Sequence, residues 1–368
     1  MKYVLHILQP VSETIFGGAD MHVLDLAIAQ KQSEIIEPII LIRKNIQLKK
    51  RFEKNNIRCF CGSGINNILY FVSWVHRNLK NYNFFIIHSH GYDANYQMAL
   101  LKEKYPTKWK SIPTVITSHG WIENNFILKL KTHFDFYCHR YANAHIVCSE
   151  KNLYKLKKYK NQFHIYIPNG VSPNQFNQEQ KEEKTISVKT RIAYVGRLSF
   201  EKRVDIFIQC AFQILNNRND VVFYIYGDGF EYRKLKQQVT ESEHSDKIIF
   251  YGQVEDRNNI YRNIDILILP SDTESTPRVL LEAMCFEIPL IATDVGDVSR
   301  IVRNGVNGFL VKKGDISNLV KHLDFLLSNR SQMKLFGKNG KKIVNENFLI
   351  DDMNKKIFDV YRKINKEL

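Results

Sequence analysis

Residues 267–294 read LILPSDTESTPRVLLEAMCFEIPLIATD: an apolar run, a polar loop, an apolar helical pattern and a second apolar run. LILP and PLIAT are short, β-rich and bounded by Pro and Asp, as strands buried on both faces are. Between them Thr276 is a good N-cap and Pro277 suits a first helical position, so a helix is expected to start there. Arg278, Val279 and Leu280 would then turn backbone N–H groups toward an anion. The pattern from Val279 to Phe286 is apolar nearly all round, which marks a buried helix. Two buried strands joined by a helix form a βαβ unit, and hence a parallel sheet.

The same rhythm extends outward. RIAYVG at 191–196, VVFYIYGDG at 221–229, KIIFYG at 247–252 and DILILP at 265–270 alternate with helical patterns. In the first half YVLHIL, IEPIILIR, FFIIHSH and TVITSHG do the same. A Gln/Glu/Lys-rich stretch at 172–189 separates the two series. We expect an α/β protein of two Rossmann-like, doubly wound domains, 1–171 and 172–349, with a final helix near 350–368.

A chain of 368 residues with 44% hydrophobic and 25% charged residues can fill two cores and has no room for a long disordered region. Six cysteines show no CxxC pair, which fits a reduced cytoplasm. MKYVLHILQPV is too short an apolar run for a leader, and no stretch is long enough to span a bilayer, so any membrane contact is expected to be peripheral. Net charge is +15, with 23 Lys+Arg against 11 Asp+Glu in residues 1–170. The excess gathers at Lys49, Lys50, Arg51 and Lys54, at Lys102, Lys104, Lys108 and Lys110, and at Lys151, Lys155, Lys157, Lys158 and Lys160. Such clusters suit anionic partners or a plain solvated face.

Ligands of open parallel sheets bind beyond the carboxyl ends of strands. Four such loops carry chemistry. Phe16-Gly17-Gly18-Ala19-Asp20 opens a helix with glycines that let backbone approach a ligand. Gly196-Arg197-Leu198-Ser199-Phe200-Glu201-Lys202 offers a guanidinium fork and an ammonium to a diphosphate. Glu282, inside the buried helix, needs hydrogen-bond donors: a ribose diol, or a structural ion pair. Glu274 precedes that helix and would accept from sugar hydroxyls. Ser118-His119-Gly120-Trp121 supplies a histidine. His88 and His90 share a strand face, but no third ligand and no acidic pair of DxD type accompanies them, so no metal site and no cofactor are expected.

These residues resemble the retaining glycosyltransferases of family 4, of GT-B fold. GGAD at 17–20, SHG at 118–120, NAHIVCSE at 143–150, IPNGV at 167–171, VGRLSFEKRVD at 195–205, NGVNGFLV at 304–311 and the E-x7-E pair Glu274/Glu282 carry the likeness along the whole chain. The resemblance implies two domains facing across a cleft, acceptor on 1–171 and nucleotide-sugar donor on 172–349, with the last helix crossing back to the first. It implies that Arg197 and Lys202 bind the donor diphosphate, Glu282 the ribose and Glu274 the transferred sugar. His119 would lie beside that sugar, and Gly17 and Gly18 would approach phosphate or acceptor. Gly196, Ser275, Thr276, Pro277, Arg278 and Val279 complete the donor loops. It further implies front-face, metal-independent hexosyl transfer with retention, from a UDP- or GDP-sugar to a glycan or lipid-linked acceptor in bacterial capsule or lipopolysaccharide synthesis. The place would be the cytoplasm, peripherally at the inner membrane face, with no nucleic acid partner.

Ser275, Glu287 and Asp297 stand where that family commonly has glycine. Phe126, Ile127, Leu128 and Leu130, interleaved with Lys129 and Lys131, suit either an amphipathic membrane edge or a core helix. A nucleotide-sugar 2-epimerase of the same fold, a non-catalytic sugar-nucleotide module and a nicotinamide-dependent dehydrogenase are the rival readings. Gly227-Asp228-Gly229-Phe230 holds only the first two glycines of a dinucleotide fingerprint.

Overall fold

A computed structural model describes residues 2–10, 17–120, 126–156, 163–176 and 189–365, apart from the side chains at 126–129 and 155. The chain divides into two units, Met1–Gly170 with Ile350–Leu368, and Val171–Leu349.

The first unit is built on seven strands: β1 (Lys2–Leu8), β2 (Ile36–Ile42), β3 (Arg58–Cys61), β4 (Phe84–His90), β5 (Thr114–Ser118), β6 (Ala144–Val147) and β7 (Phe163–Tyr166). All pair in parallel, in the order β3-β2-β1-β4-β5-β6-β7. The chain works outward from β1, then returns to its other side at β4, so the order reverses between these two strands. Alternate side chains feed two faces: Leu5, Ile7, Ile39 and Ile87 pack with Phe71, Val75 and Trp109, while Val4, Ile36, Ile86 and Val115 pack on the other side. That second face is closed by the final helix, Ile350–Ile364, through the stripe Ile350, Met353, Ile357, Val360 and Tyr361. Spacing of three and four residues puts these on one helix face, and burial of each contributes about 1.5–3 kcal/mol. The last helix thus belongs to the first unit.

The second unit has six parallel strands: β8 (Thr190–Val195), β9 (Val221–Tyr226), β10 (Ile248–Gly252), β11 (Ile266–Leu269), β12 (Leu290–Thr293) and β13 (Gly308–Val311), in the order β10-β9-β8-β11-β12-β13. The order reverses between β8 and β11. Val171 goes with this unit, because its N–H donates to Phe348 O at 2.9 Å. The unit therefore begins at Val171, one residue before the division read from sequence.

Lys102 departs from the surface-cluster reading. It is 4% exposed and its Nζ donates to Ile112 O at 2.8 Å; burial lowers its pKa to about 8. The long stem crosses apolar packing, so this lysine does not join Lys104, Lys108 and Lys110 in any anion-binding surface. Lys157, Lys158 and Lys160 lie outside the described residues, as do Phe16, Trp121 and 177–188. In the helix Phe126–Cys138, Leu130 is 47% exposed and Lys131 pairs with Asp93 at 3.3 Å. Among the described residues no helix is long and apolar enough to cross a membrane.

Candidate active site

The reversal between β8 and β11 brings two loops together at the carboxyl edge of the second sheet. The loop after β8 carries Gly196, Arg197 and Lys202; the loop after β11 carries Glu274, Ser275 and Thr276. Lys202 Nζ donates to Glu274 Oε1 at 2.6 Å, with side chains 21% and 8% exposed. Arg197 Nη2 reaches Glu201 Oε1 at 3.5 Å, while Ser199 Oγ donates to the same oxygen at 2.7 Å. Arg197 Nε is buried and has no acceptor among the described residues. A buried guanidinium donor without a partner is costly, and an acceptor from outside the chain, water or an anion, would satisfy it.

Glycine explains how the loops come so close. Gly196 has φ +154°, and a Cβ there would meet Tyr194 Oη at 2.8 Å. A Cβ on Gly227 would lie 1.9 Å from Gly196 O, and one on Gly229 2.2 Å from Leu198 O. The two glycines of the partial dinucleotide fingerprint therefore serve to seat the end of β9 against the Arg197 loop. Gly296, at φ +54°, likewise presses on Glu274, whose carbonyl oxygen would be 1.8 Å from an added Cβ. Asp297 N–H then donates to Ser275 O at 3.2 Å. Sequence reasoning missed Gly296 as a support of the Glu274 loop.

The helix after this loop spans Arg278–Cys285. It starts one residue later than expected. Pro277 is its N-cap, with ψ 113°, and no side chain caps it. Thr276, the expected cap, precedes it and is 3% exposed. Leu280 N–H donates to Pro277 O at 3.2 Å, so Arg278 and Val279 head the first turn. Glu282 is buried here as predicted, yet three protein groups already serve it. Oε1 accepts from Arg257 Nη1 at 2.9 Å and Arg278 Nη2 at 3.4 Å, and Oε2 from Tyr261 Oη at 2.9 Å. A carboxylate offers about four lone-pair positions, so these three donors leave about one unused. Arg257 and Tyr261, on the helix Arg257–Arg262, carried no signal in sequence.

The first unit places the remaining residues at its own reversal point. Gly17 is the N-cap of the helix Gly18–Gln32, and its N–H donates to Asp20 Oδ2 at 2.7 Å. A Cβ on Gly18 would meet nothing within 4 Å among the described residues, so packing does not demand glycine there. His119, just after β5, lies edge-on to His22 at 4.7 Å between ring centroids and stacks over His90 at 5.9 Å. Its Nδ1 is 3.7 Å from Cys148 Sγ. His88 and His90 do acquire a third imidazole, which the linear sequence did not reveal: His6 from β1. All six cysteines are free thiols.

Two doubly wound parallel sheets, one with cations and carboxylates gathered at its strand reversal, define a two-unit α/β protein. The description Glycosyl transferases group 1 matches residues 175–343 and Glycosyltransferase Family 4 matches residues 16–175, and the chain belongs to this family. An uncharacterized glycosyltransferase of Methanocaldococcus jannaschii is 30% identical over 268 residues, covering 70% of this chain and 69% of that one. The UDP-Gal:alpha-D-GlcNAc-diphosphoundecaprenol alpha-1,3-galactosyltransferase of Escherichia coli is 29% identical over 205 residues, 53% of each chain. The chain spans about half the length of most of the curated relatives it matches. Among solved structures, Anabaena Alr3699/HepE in complex with UDP-glucose superposes with a TM-score of 0.83 at 18% identity, over 99% of this chain and 100% of that one, a likeness of fold.

Proposed function

We propose that the protein transfers a hexosyl group, with retention and without a metal, from a nucleotide diphosphate sugar to a glycan or lipid-linked acceptor in surface polysaccharide assembly. The observation that carries this reading is the buried, acceptorless Arg197 Nε beside the Lys202–Glu274 pair at the reversal of the second sheet. A donor diphosphate supplies the missing acceptors. Arg197 takes it as a fork, and Lys202 turns from Glu274 toward the phosphate as charge builds on the leaving group. Released from Lys202, Glu274 accepts from hydroxyls of the transferred sugar. Glu282 lends its remaining lone pair to the ribose. In this reading His119 and the Gly17–Gly18 helix start serve the reacting sugar and the acceptor. The names of relatives support the substrate class: the Escherichia coli relative is named for UDP-galactose and a diphosphoundecaprenol acceptor, and the Anabaena neighbour holds UDP-glucose. A lipid-linked acceptor suits peripheral work at the cytoplasmic membrane face by a basic first unit.

The test is a thermal-shift panel of UDP, GDP, ADP and NAD in the presence of EDTA, followed by turnover with the matching sugar nucleotide. One nucleoside diphosphate should raise Tm, because a ligand selective for the native state stabilises it. Lys202→Ala should lower kcat/KM roughly 10²–10³-fold, as loss of one preorganised donor to a developing anion does. A shift with NAD alone, or near-native turnover by both Lys202→Ala and Arg197→Ala, would remove the assignment.

A further inference from the structure

Two clusters of imidazoles, all buried but the half-buried His119, meet at His90. In the first, of His6, His88 and His90, the nitrogens of two are already taken: His88 Nδ1 and Nε2 engage Tyr361 Oη at 2.6 Å and Thr117 Oγ1 at 2.7 Å, and His6 Nδ1 and Nε2 engage His90 Nε2 and Gln30 Oε1. In the second, one nitrogen from each of His22, His90 and His119 lies within 4.8 Å of the other two. Two nitrogens on one tetrahedral zinc stand about 3.3 Å apart, so closing the site needs a contraction of roughly 1.5 Å at most, within reach of side-chain rotation.

The hydrogen bonds fix which nitrogen His90 offers. Gln30 Nε2 donates to Tyr361 Oη at 3.4 Å, so its Oε1 accepts from His6 Nε2–H at 2.8 Å. His6 Nδ1 is then a lone pair, and it accepts from His90 Nε2–H at 3.0 Å. That leaves a lone pair on His90 Nδ1, in a residue 3% exposed, and this atom has no partner among the described residues. His22 Nδ1 engages Asn169 Oδ1 at 2.9 Å, so Nε2 is the atom it presents. Metal-bound histidines are commonly oriented in this way, by a hydrogen bond from the other ring nitrogen. Burial, then the neighbouring imidazoles, holds the His90 pKa well below its ordinary value, so the ring is neutral near pH 7, the form a metal needs.

We propose that His22, His90 and His119 form a binding site for a divalent metal of the zinc type, and that occupancy switches turnover off by engaging His119. Three imidazoles favour Zn2+, Co2+ and Cu2+ over Mg2+ or Ca2+. The switching half rests on the role of His119 in the transfer reaction; the binding half does not.

The experiment titrates Co2+ into the full chain after chelation and reads visible absorption, then measures zinc inhibition of sugar transfer. One equivalent should bind with the intense bands of a four-coordinate centre. His90→Gln should weaken that binding at least tenfold and raise the zinc concentration for half-inhibition by at least tenfold, with metal-free turnover kept. His22→Gln should weaken Co2+ binding likewise, and it carries the test if His90→Gln fails to give a native circular dichroism spectrum. Co2+ binding unchanged in both variants, or absent from the parent, overturns the site. Binding lost in the variants while zinc leaves turnover untouched overturns the switch alone. Absence of transfer with every donor counts against the functional reading, while the Co2+ spectra still decide the site.

Discussion

Alanine at Glu282 is expected to cost the second unit about 3–5 kcal/mol, as removal of one partner from a buried charge network does. The carboxylate holds three donors, and two of them are buried. The Arg278 side chain is 3% exposed and the whole of Tyr261 1%. Without Glu282 the Arg278 guanidinium remains charged inside the fold, and the Tyr261 hydroxyl loses its acceptor. Glu282→Gln would still accept from Tyr261 but would turn an amide N–H toward an arginine, so it should recover only part of the loss. Unfolding in urea, followed by far-UV circular dichroism, measures the change. All three tryptophans, Trp74, Trp109 and Trp121, fall in the first unit, so fluorescence should stay at the parent midpoint while the dichroism midpoint drops. A dichroism midpoint within experimental error of the parent would mean that the network contributes nothing net to stability.

This network also shows where sequence reading stops. A glutamate in an otherwise apolar helix was legible, because burial of a bare carboxylate demands a partner. Its partners were not: Arg257 and Tyr261 lie one turn apart on a different helix, and only the return of the chain past β11 sets them beside Glu282. The strands were legible for the opposite reason. Apolar runs such as ILIL and LIAT have one physical use, and their parallel pairing follows from the helices between them. Arg197 and Lys202 were legible as cations after a strand, whereas the Lys202–Glu274 contact depends on strand order. Helix caps were read less well. Thr276 is a favourable capping residue, yet the cap position falls on Pro277 and the helix begins after it. Glu287 offers a clearer lesson. It stands where the resembled family commonly has glycine, and its φ is +57°, the left-handed region that costs a side chain energy. Lys341 Nζ holds its Oε1 at 3.0 Å, and Gly337 passes with a would-be Cβ only 2.0 Å from its carbonyl oxygen. The departure from glycine is thus met by an ion pair from another helix, which sequence spacing alone does not disclose.

Lowering the pH from 7 to 5 is expected to unfold the first unit ahead of the second. His6, His88 and His90 are buried and neutral. Burial lowers the His6 pKa to about 4, and burial together with the neighbouring imidazoles holds His88 and His90 well below the ordinary value of 6.5. The unfolded chain therefore binds more protons than the folded one once the pH drops below 6.5, and stability falls with pH from there. The contribution is fully present above 6.5 and is lost down to about 4, where His6 itself titrates in the fold. Each such histidine removes about 1.4 kcal/mol per pH unit, so three remove roughly 4 kcal/mol per unit. Between pH 6.5 and 5 the loss is at most about 6 kcal/mol, comparable to the roughly 5–15 kcal/mol a domain has to lose. The second unit holds only His244 and His322 of the twelve histidines. Burial lowers the pKa of His322. Acid titration with paired readouts checks the order: tryptophan emission, confined to the first unit, should change at higher pH than the last loss of helical dichroism. Emission unchanged down to pH 4 would mean that the imidazoles accept protons inside the fold, with water or counter-ions reaching them, and that burial does not hold them neutral.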